Sequence, residues 1–141
     1  MYIKQLSVFV ENKPGRLAEI TSIIAEKGIN MRALSVTDTK EFGILRVIVD
    51  KPDEAAAVLK STGLTVSLSN VIAIGIDDKP GAFAAAIKVL ADVDITVDYI
   101  YAFVPRTENS AYVILHVGDT EAAVKALTEA GIEIVTAEKI M

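Results

Sequence analysis

The chain has 141 residues, 52% of them hydrophobic and 23% charged, a balance that fits an ordered protein rather than a disordered one. It has no cysteine, which excludes disulfides, thiol catalysis and iron–sulfur clusters. Net charge is −5 and unevenly placed: residues 1–70 carry nine Lys and Arg against eight Asp and Glu, and residues 71–141 carry five against eleven. Neither half offers the basic stripe that nucleic acid requires.

In chain order, residues 3–10 alternate as a half-buried strand. A helix is predicted from about Gly15 to Lys27, with Leu17, Ile20, Ile23 and Ile24 on one face. Gly28 suits the left-handed residue that ends a helix. Residues 29–37 and 42–49 read as strands around the polar turn Asp38-Thr39-Lys40-Glu41. Asp50 is the expected cap of a second helix, which tolerates Pro52 in its first turn, buries Ala55, Val58 and Leu59, and stops at Gly63. Residues 64–69 form a fourth strand.

The order then repeats. Strand 71–77 leads to helix 81–92 and strand 95–104. The turn 105–110 leads to strand 111–117. A helix over 120–130, capped by Asp119 and ended by Gly131, leads to a closing strand over 132–140. Each half therefore reads β-α-β-β-α-β, the split βαβ arrangement. The expected fold is α+β: two ferredoxin-like βαββαβ domains, 1–69 and 70–141, side by side, with antiparallel sheets and helices on one face. Ser69-Asn70 is the expected connector, and an extended eight-stranded sheet with pseudo-twofold symmetry the expected product. Free sheet edges invite a second chain, so a homodimer is expected.

The repeat is visible in residues as well as in pattern. Lys13-Pro14-Gly15 returns as Lys79-Pro80-Gly81, 66 positions on. At that offset Ala18 matches Ala84, Ala25 matches Ala91, Ile29 matches Ile95, and Val47-Ile48 matches Val113-Ile114. After Asp53 and Asp119 the second copy gains about two residues, so that Gly63-Leu64 matches Gly131-Ile132. Two copies are fewer than a solenoid needs, and a duplicated domain fits better.

A strand–Pro-Gly–helix junction gathers backbone N–H groups that lack an internal partner, and these can hold a small anion such as a carboxylate. Gly15 and Gly81 let the backbone come close to a ligand. Pro14 and Pro80 fix the chain ahead of the helix. The N–H groups of Arg16 and Leu17, or of Ala82 and Phe83, are then expected to face the carboxylate. Asn12 or Asp78 can accept from an ammonium group. The plainer alternative is that Pro-Gly before a helix is only a turn. Tyr99 and Tyr101 share one strand face and either pack a ligand or seal the domain pair, with sealing preferred. Arg32, Arg106 and the single histidine, His116, read as surface residues.

Glu11-Asn12-Lys13-Pro14-Gly15-Arg16-Leu17, followed by Gly28-Ile29-Asn30-Met31, resembles the ACT domain. Asp77-Asp78-Lys79-Pro80-Gly81-Ala82-Phe83 with Asp94-Ile95-Thr96-Val97 resembles it again. The resemblance implies a regulatory module that binds a free amino acid between paired domains. The loop after the first strand would supply one wall, and the second strand of the neighbour the other. It thus implies two sites: the loop Asn12–Leu17 with the strand 96–101, and the loop Asp78–Phe83 with the strand 30–35. The candidate ligand-binding residues are Asn12, Lys13, Pro14, Gly15, Arg16, Leu17, Asn30 and Met31, with Asp78, Lys79, Pro80, Gly81, Ala82, Phe83, Thr96 and Tyr99. The family pattern favours Asn in the loop and at the strand start. The second half departs from it with Asp78 and Thr96, so the two sites are not expected to be equivalent.

The sequence carries no catalytic triad, no Gly-rich phosphate loop and no clustered carboxylates, so neither enzyme activity nor a cofactor is expected. A regulated enzyme is the expected partner. No basic start leads into an apolar signal segment and no run approaches membrane-spanning length, so no membrane contact is expected and the cytosol is the expected location. The competing readings are a small hydrolase of the same fold, such as an acylphosphatase-like enzyme, and a purely structural pairing module.

Overall fold

A computed structural model describes residues 2–38, 41–103 and 109–141. The expected turns at 38–41 and 105–110, the end of the strand predicted over 95–104, and Arg106 lie wholly or partly outside the described residues. The chain divides into two compact units, Lys4–Ser69 and Asn70–Ile140, the latter joined by residues 2–3. Each unit has the ferredoxin-like βαββαβ order.

In the first unit, β1 (Ile3–Glu11) leads through α1 (Arg16–Glu26) to β2 (Met31–Asp38), β3 (Phe42–Val49) and α2 (Pro52–Ser61). β3 is central, antiparallel to both β1 and β2. On the other side of β1, the Phe9 N–H donates to Thr65 O at 3.0 Å. Alternation puts Leu6, Val8 and Val10 of β1 on the helix side with Leu45, Val47 and Val49 of β3, where Ile20, Ile24, Ala55 and Leu59 close the core. Leu17, expected on that face, instead stands exposed at the first turn of α1, before the helix has settled onto the sheet.

The second unit repeats the plan. Strand β4 (Val66–Asp77) is followed by α3 (Ala82–Asp92), β5 (Val97–Phe103), β6 (Ser110–Val117), α4 (Thr120–Glu129), β7 (Glu133–Val135) and α5 (Ala137–Ile140). β4 pairs antiparallel with β6 and β7, and β6 with β5. Ile72, Ile74, Leu90, Val113, Leu115 and Leu127 fill its core.

Four further details depart from the sequence-based expectation. Ser69 and Asn70 are not a connector: β4 runs through them without a break, because neither is a Pro or Gly that would interrupt extended backbone. The last strand is only three residues long, and Thr136 O accepts from the N–H groups of Lys139 and Ile140 to start a short helical turn that buries Ile140. Asp50 does not cap α2. Lys51 holds that position without a side-chain bond, and the Asp50 carboxylate accepts from the Asn30 N–H at 3.0 Å.

The fourth departure is the place of the two-residue gain. Leu6 faces Val47 and Ile72 faces Leu115, so Val47-Ile48 is equivalent to Leu115-His116, not to Val113-Ile114. The extra residues therefore fall between the second and third strands of the second half. A hairpin turn absorbs an insertion that a strand register cannot.

Candidate functional site

Each Lys-Pro-Gly is a type II turn. Proline stands second and glycine third, and the Arg16 N–H donates to Lys13 O at 3.3 Å, as does Ala82 N–H to Lys79 O at 3.3 Å. Gly15 (φ 84°, ψ −12°) and Gly81 (φ 89°, ψ −18°) take the left-handed conformation the turn needs. Nothing lies within 4 Å of where a Cβ would stand on either. The glycines thus serve the turn itself and do not relieve crowding within the protein.

The strand exits match bond for bond. Lys13 N–H donates to Glu11 O at 2.8 Å and Asn12 N–H to Glu41 O at 3.1 Å. Lys79 N–H donates to Asp77 O and Asp78 N–H to Asn109 O, both at 2.9 Å. These bonds aim the start of each helix. The first amide of each helix is consumed by the turn, which corrects the expectation that Arg16 and Ala82 N–H are open. The next two are open: among the described residues no hydrogen bond takes the N–H of Leu17 or Ala18, or of Phe83 or Ala84. The side chains of Asn12, Lys13, Leu17, Asp78, Lys79 and Phe83 are exposed around these two turns.

The strand-start candidates lie elsewhere in their own units. Glu11 pairs with Phe42 at one end of β3, and Met31 with Val49 at the other. β3 has eight residues, so those ends lie roughly 24 Å apart at about 3.4 Å per residue. In each unit the Pro-Gly loop and the start of the second strand thus lie at opposite ends of the sheet. Asn30 is held by Asp50 at both backbone groups, with the Asp50 N–H donating to Asn30 O at 3.2 Å, while its side chain is exposed. Met31 packs on the first core, so its side chain has a structural task. Thr96 is exposed.

Sequence reasoning missed two clusters. His116 is not a lone surface residue. Its Nδ1 lies 2.9 Å from Asp98 Oδ2, and the Tyr99 ring stacks on it at a centroid distance of 4.9 Å. The corrected offset sets Tyr99 opposite His116 on neighbouring strands.

The other is a cavity of about 340 Å³ beside the first turn. Val10, Ile20, Ile23 and Leu64 give it an apolar lining, and Phe9 and Phe42 an aromatic one. Glu11, Arg16 and Glu19 line it with charge. Arg16 Nη1 lies 3.1 Å from Glu19 Oε2, and Nη2 lies 3.7 Å from Glu11 Oε1. The Lys13 ammonium, 3.0 Å from Glu11, holds that carboxyl below the usual carboxylate range by its hydrogen bond and charge, and Arg16 adds to this. The spacing of Arg16 and Glu19 was readable in the sequence, but their proximity to Phe42 follows only from strand register.

Among the described residues no group of three or more His, Asp or Glu is placed to hold a metal, and no helix is long and apolar enough to cross a membrane. The fold and its turns define a tandem of ferredoxin-like units, each with a Pro-Gly turn and two open amides at the start of its first helix. The family model for the ACT domain pair matches residues 1–141, and the chain belongs to that family. A Bacteroides thetaiotaomicron protein of known crystal structure is 34% identical, with 99% of this chain and 96% of that one covered at a TM-score of 0.93. The regulatory subunit of aspartate kinase from Thermus thermophilus, in ligand-free form, shares the fold at 20% identity and a TM-score of 0.69, over 90% of this chain and 91% of that one. The acetolactate synthase small subunit of Mycolicibacterium smegmatis is 30% identical over 90 residues, 62% of this chain. The chain spans about half the length of that curated relative, 53% of it being covered.

Proposed function

We propose that this chain is an amino-acid-binding regulatory protein with no chemistry of its own. The observation that carries the reading is the twofold Pro-Gly turn, which leaves two adjacent amides open at the start of α1 and again at α3. Two N–H groups at the positive end of a helix suit a carboxylate. The exposed side chain of Asn12, or of Asp78, accepts from the ligand's ammonium group. The second strand of a neighbouring ACT domain supplies the opposite wall: Thr96 and Tyr99 for the first loop, Asn30 for the second. That neighbour is the other domain of the chain or a second copy, and a homodimer is part of the proposal.

The domain division at 1–69 and 70–141 follows from the same duplication. A ligand preferred by one arrangement of the domains shifts that equilibrium by its difference in affinity. A partner enzyme reads the shift, in line with relatives named as an enzyme's small subunit and as a regulatory subunit.

A thermal-shift screen of the twenty amino acids tests this. A true ligand at a hundred times its dissociation constant adds about 2.7 kcal/mol, a plainly visible rise in Tm. A screen in which no amino acid raises Tm leaves the structural-module reading in its place.

A further inference from the structure

We propose that the cavity beside the first Pro-Gly turn is itself a binding site, for one zwitterionic amino acid with an apolar side chain. The inference rests on the reading that the chain binds amino acids, but it places the ligand in a cavity of the first unit whose charged set shares only Lys13 and Arg16 with the loop-and-strand site.

The volume, about 340 Å³, lies in the range of small-molecule pockets. Its chemistry is divided in a way that fits one ligand class. Ile20, Ile23 and Leu64, with Phe9 and Phe42 at the rim, line it with apolar residues. At the charged side, Arg16 spends one guanidinium N–H on Glu19 and keeps Glu11 only at 3.7 Å, so donors remain for a carboxylate. Glu11 and Glu19 keep lone pairs for an ammonium group. Lys13, which does not line the cavity but pairs with Glu11 at 3.0 Å, joins Arg16 in balancing Glu11 and Glu19, so the set is neutral. A neutral zwitterion meets it without leaving a net charge, whereas a plain amine or a plain carboxylate does not.

The second half marks this as a feature of the first half alone. The equivalent hollow, about 420 Å³, is lined by Gly75, Ala82 and Ser110 where the first has Phe9, Arg16 and Phe42. Glu133 stands in place of Thr65. That hollow has lost its guanidinium and both aromatic walls and gained a carboxylate. The expected stoichiometry at this type of site is therefore one ligand per chain.

The test is calorimetry on the full chain with L-leucine, L-leucinamide and 4-methylpentanoate. L-leucine is expected to bind, and the two analogues, each lacking one charge, about tenfold or more weakly. Phe9→Ala and Phe42→Ala should each weaken L-leucine about fivefold. Both rings are about half exposed, 52% and 49%, so their removal should lower Tm only modestly, and an unchanged circular dichroism spectrum checks that the fold is kept. Lys125→Ala, exposed on α4 and outside both sites, should leave L-leucine affinity unchanged, while Asn30→Ala reports on the loop-and-strand site alone. If L-leucine binds but only Asn30→Ala weakens it, this site is overturned while the loop-and-strand reading stands. If 4-methylpentanoate binds as tightly as L-leucine, the zwitterion assignment is overturned. If no amino acid binds, both readings fall.

Discussion

Gly15 and Gly81 hold nearly the same backbone conformation, φ 84° and ψ −12° against φ 89° and ψ −18°, at equivalent points of the two units. Each also has empty space where a Cβ would stand. The cost of alanine at either position is then the conformational penalty alone, with no clash to add. Gly15→Ala and Gly81→Ala should each destabilise by about 1–2 kcal/mol, and by equal amounts. Urea unfolding measures both. A much larger loss at one of them would mean that the two turns differ in the folded protein.

The ends of the first helix in each unit should also be separable by mutation. Gly28 (φ 70°) ends α1, with its N–H on Ala25 O at 2.9 Å and the Ile29 N–H on Ile24 O at 3.3 Å. Asp94 (φ 57°) ends α3 with the same two bonds, to Ala91 O at 3.1 Å and Leu90 O at 3.0 Å. A side chain in this left-handed position is strained, though Asp tolerates it better than most residues. Asp94→Gly should therefore stabilise the protein by about 0.5–1 kcal/mol, and Gly28→Asp should destabilise it by a similar amount. Thermal unfolding of the two variants reads both signs.

The second helices differ at their start. Asp119 accepts from the Ala122 N–H at 3.0 Å and caps α4, while Lys51, its equivalent, gives α2 no cap bond. The two backbones are alike, with φ −130° and −134°. Asp119→Ala should cost about 1 kcal/mol, and Lys51→Asp should add about 0.5–1 kcal/mol. Denaturant midpoints check both. A Lys51→Asp variant no more stable than the parent would mean that α2 cannot accept a cap.

Much of this architecture was legible in the chain. Strand alternation in Leu6-Ser7-Val8-Phe9-Val10, the 3–4 spacing of Ile20, Ile23 and Ile24, and the glycines after α1, α2 and α4 are local signals that packing reinforced. The repeated Lys-Pro-Gly fixed the turn type for the same reason. What failed was non-local. The two residues gained by the second half were misplaced, because no sequence feature marks a hairpin insertion until strands pair. With that error His116 fell out of register with Tyr99, and its contact with Asp98 was invisible. The cavity was hidden likewise, since Glu11 and Phe42 meet only through β1 and β3. Asp50 misled because a carboxylate ahead of a helix has two uses, and here it holds Asn30 instead.

The charged side of the cavity yields a pH prediction. Lys13, and after it Arg16, lower the pKa of Glu11 in the folded protein. A lowered carboxyl pKa contributes stability that is fully present above the unfolded value and is lost as pH falls through the folded value. Glu11 is exposed, so this contribution is small and screened by salt. The titration is the better observable. Carboxyl NMR shifts followed against pH should place Glu11 below the usual carboxylate range, and Lys13→Met should move it back up. The same variant should weaken an amino acid held at Glu11 once pH drops into the ordinary carboxylate range, where wild-type Glu11 is still ionised. An unchanged Glu11 titration in Lys13→Met would mean that the 3.0 Å ion pair does not persist in solution.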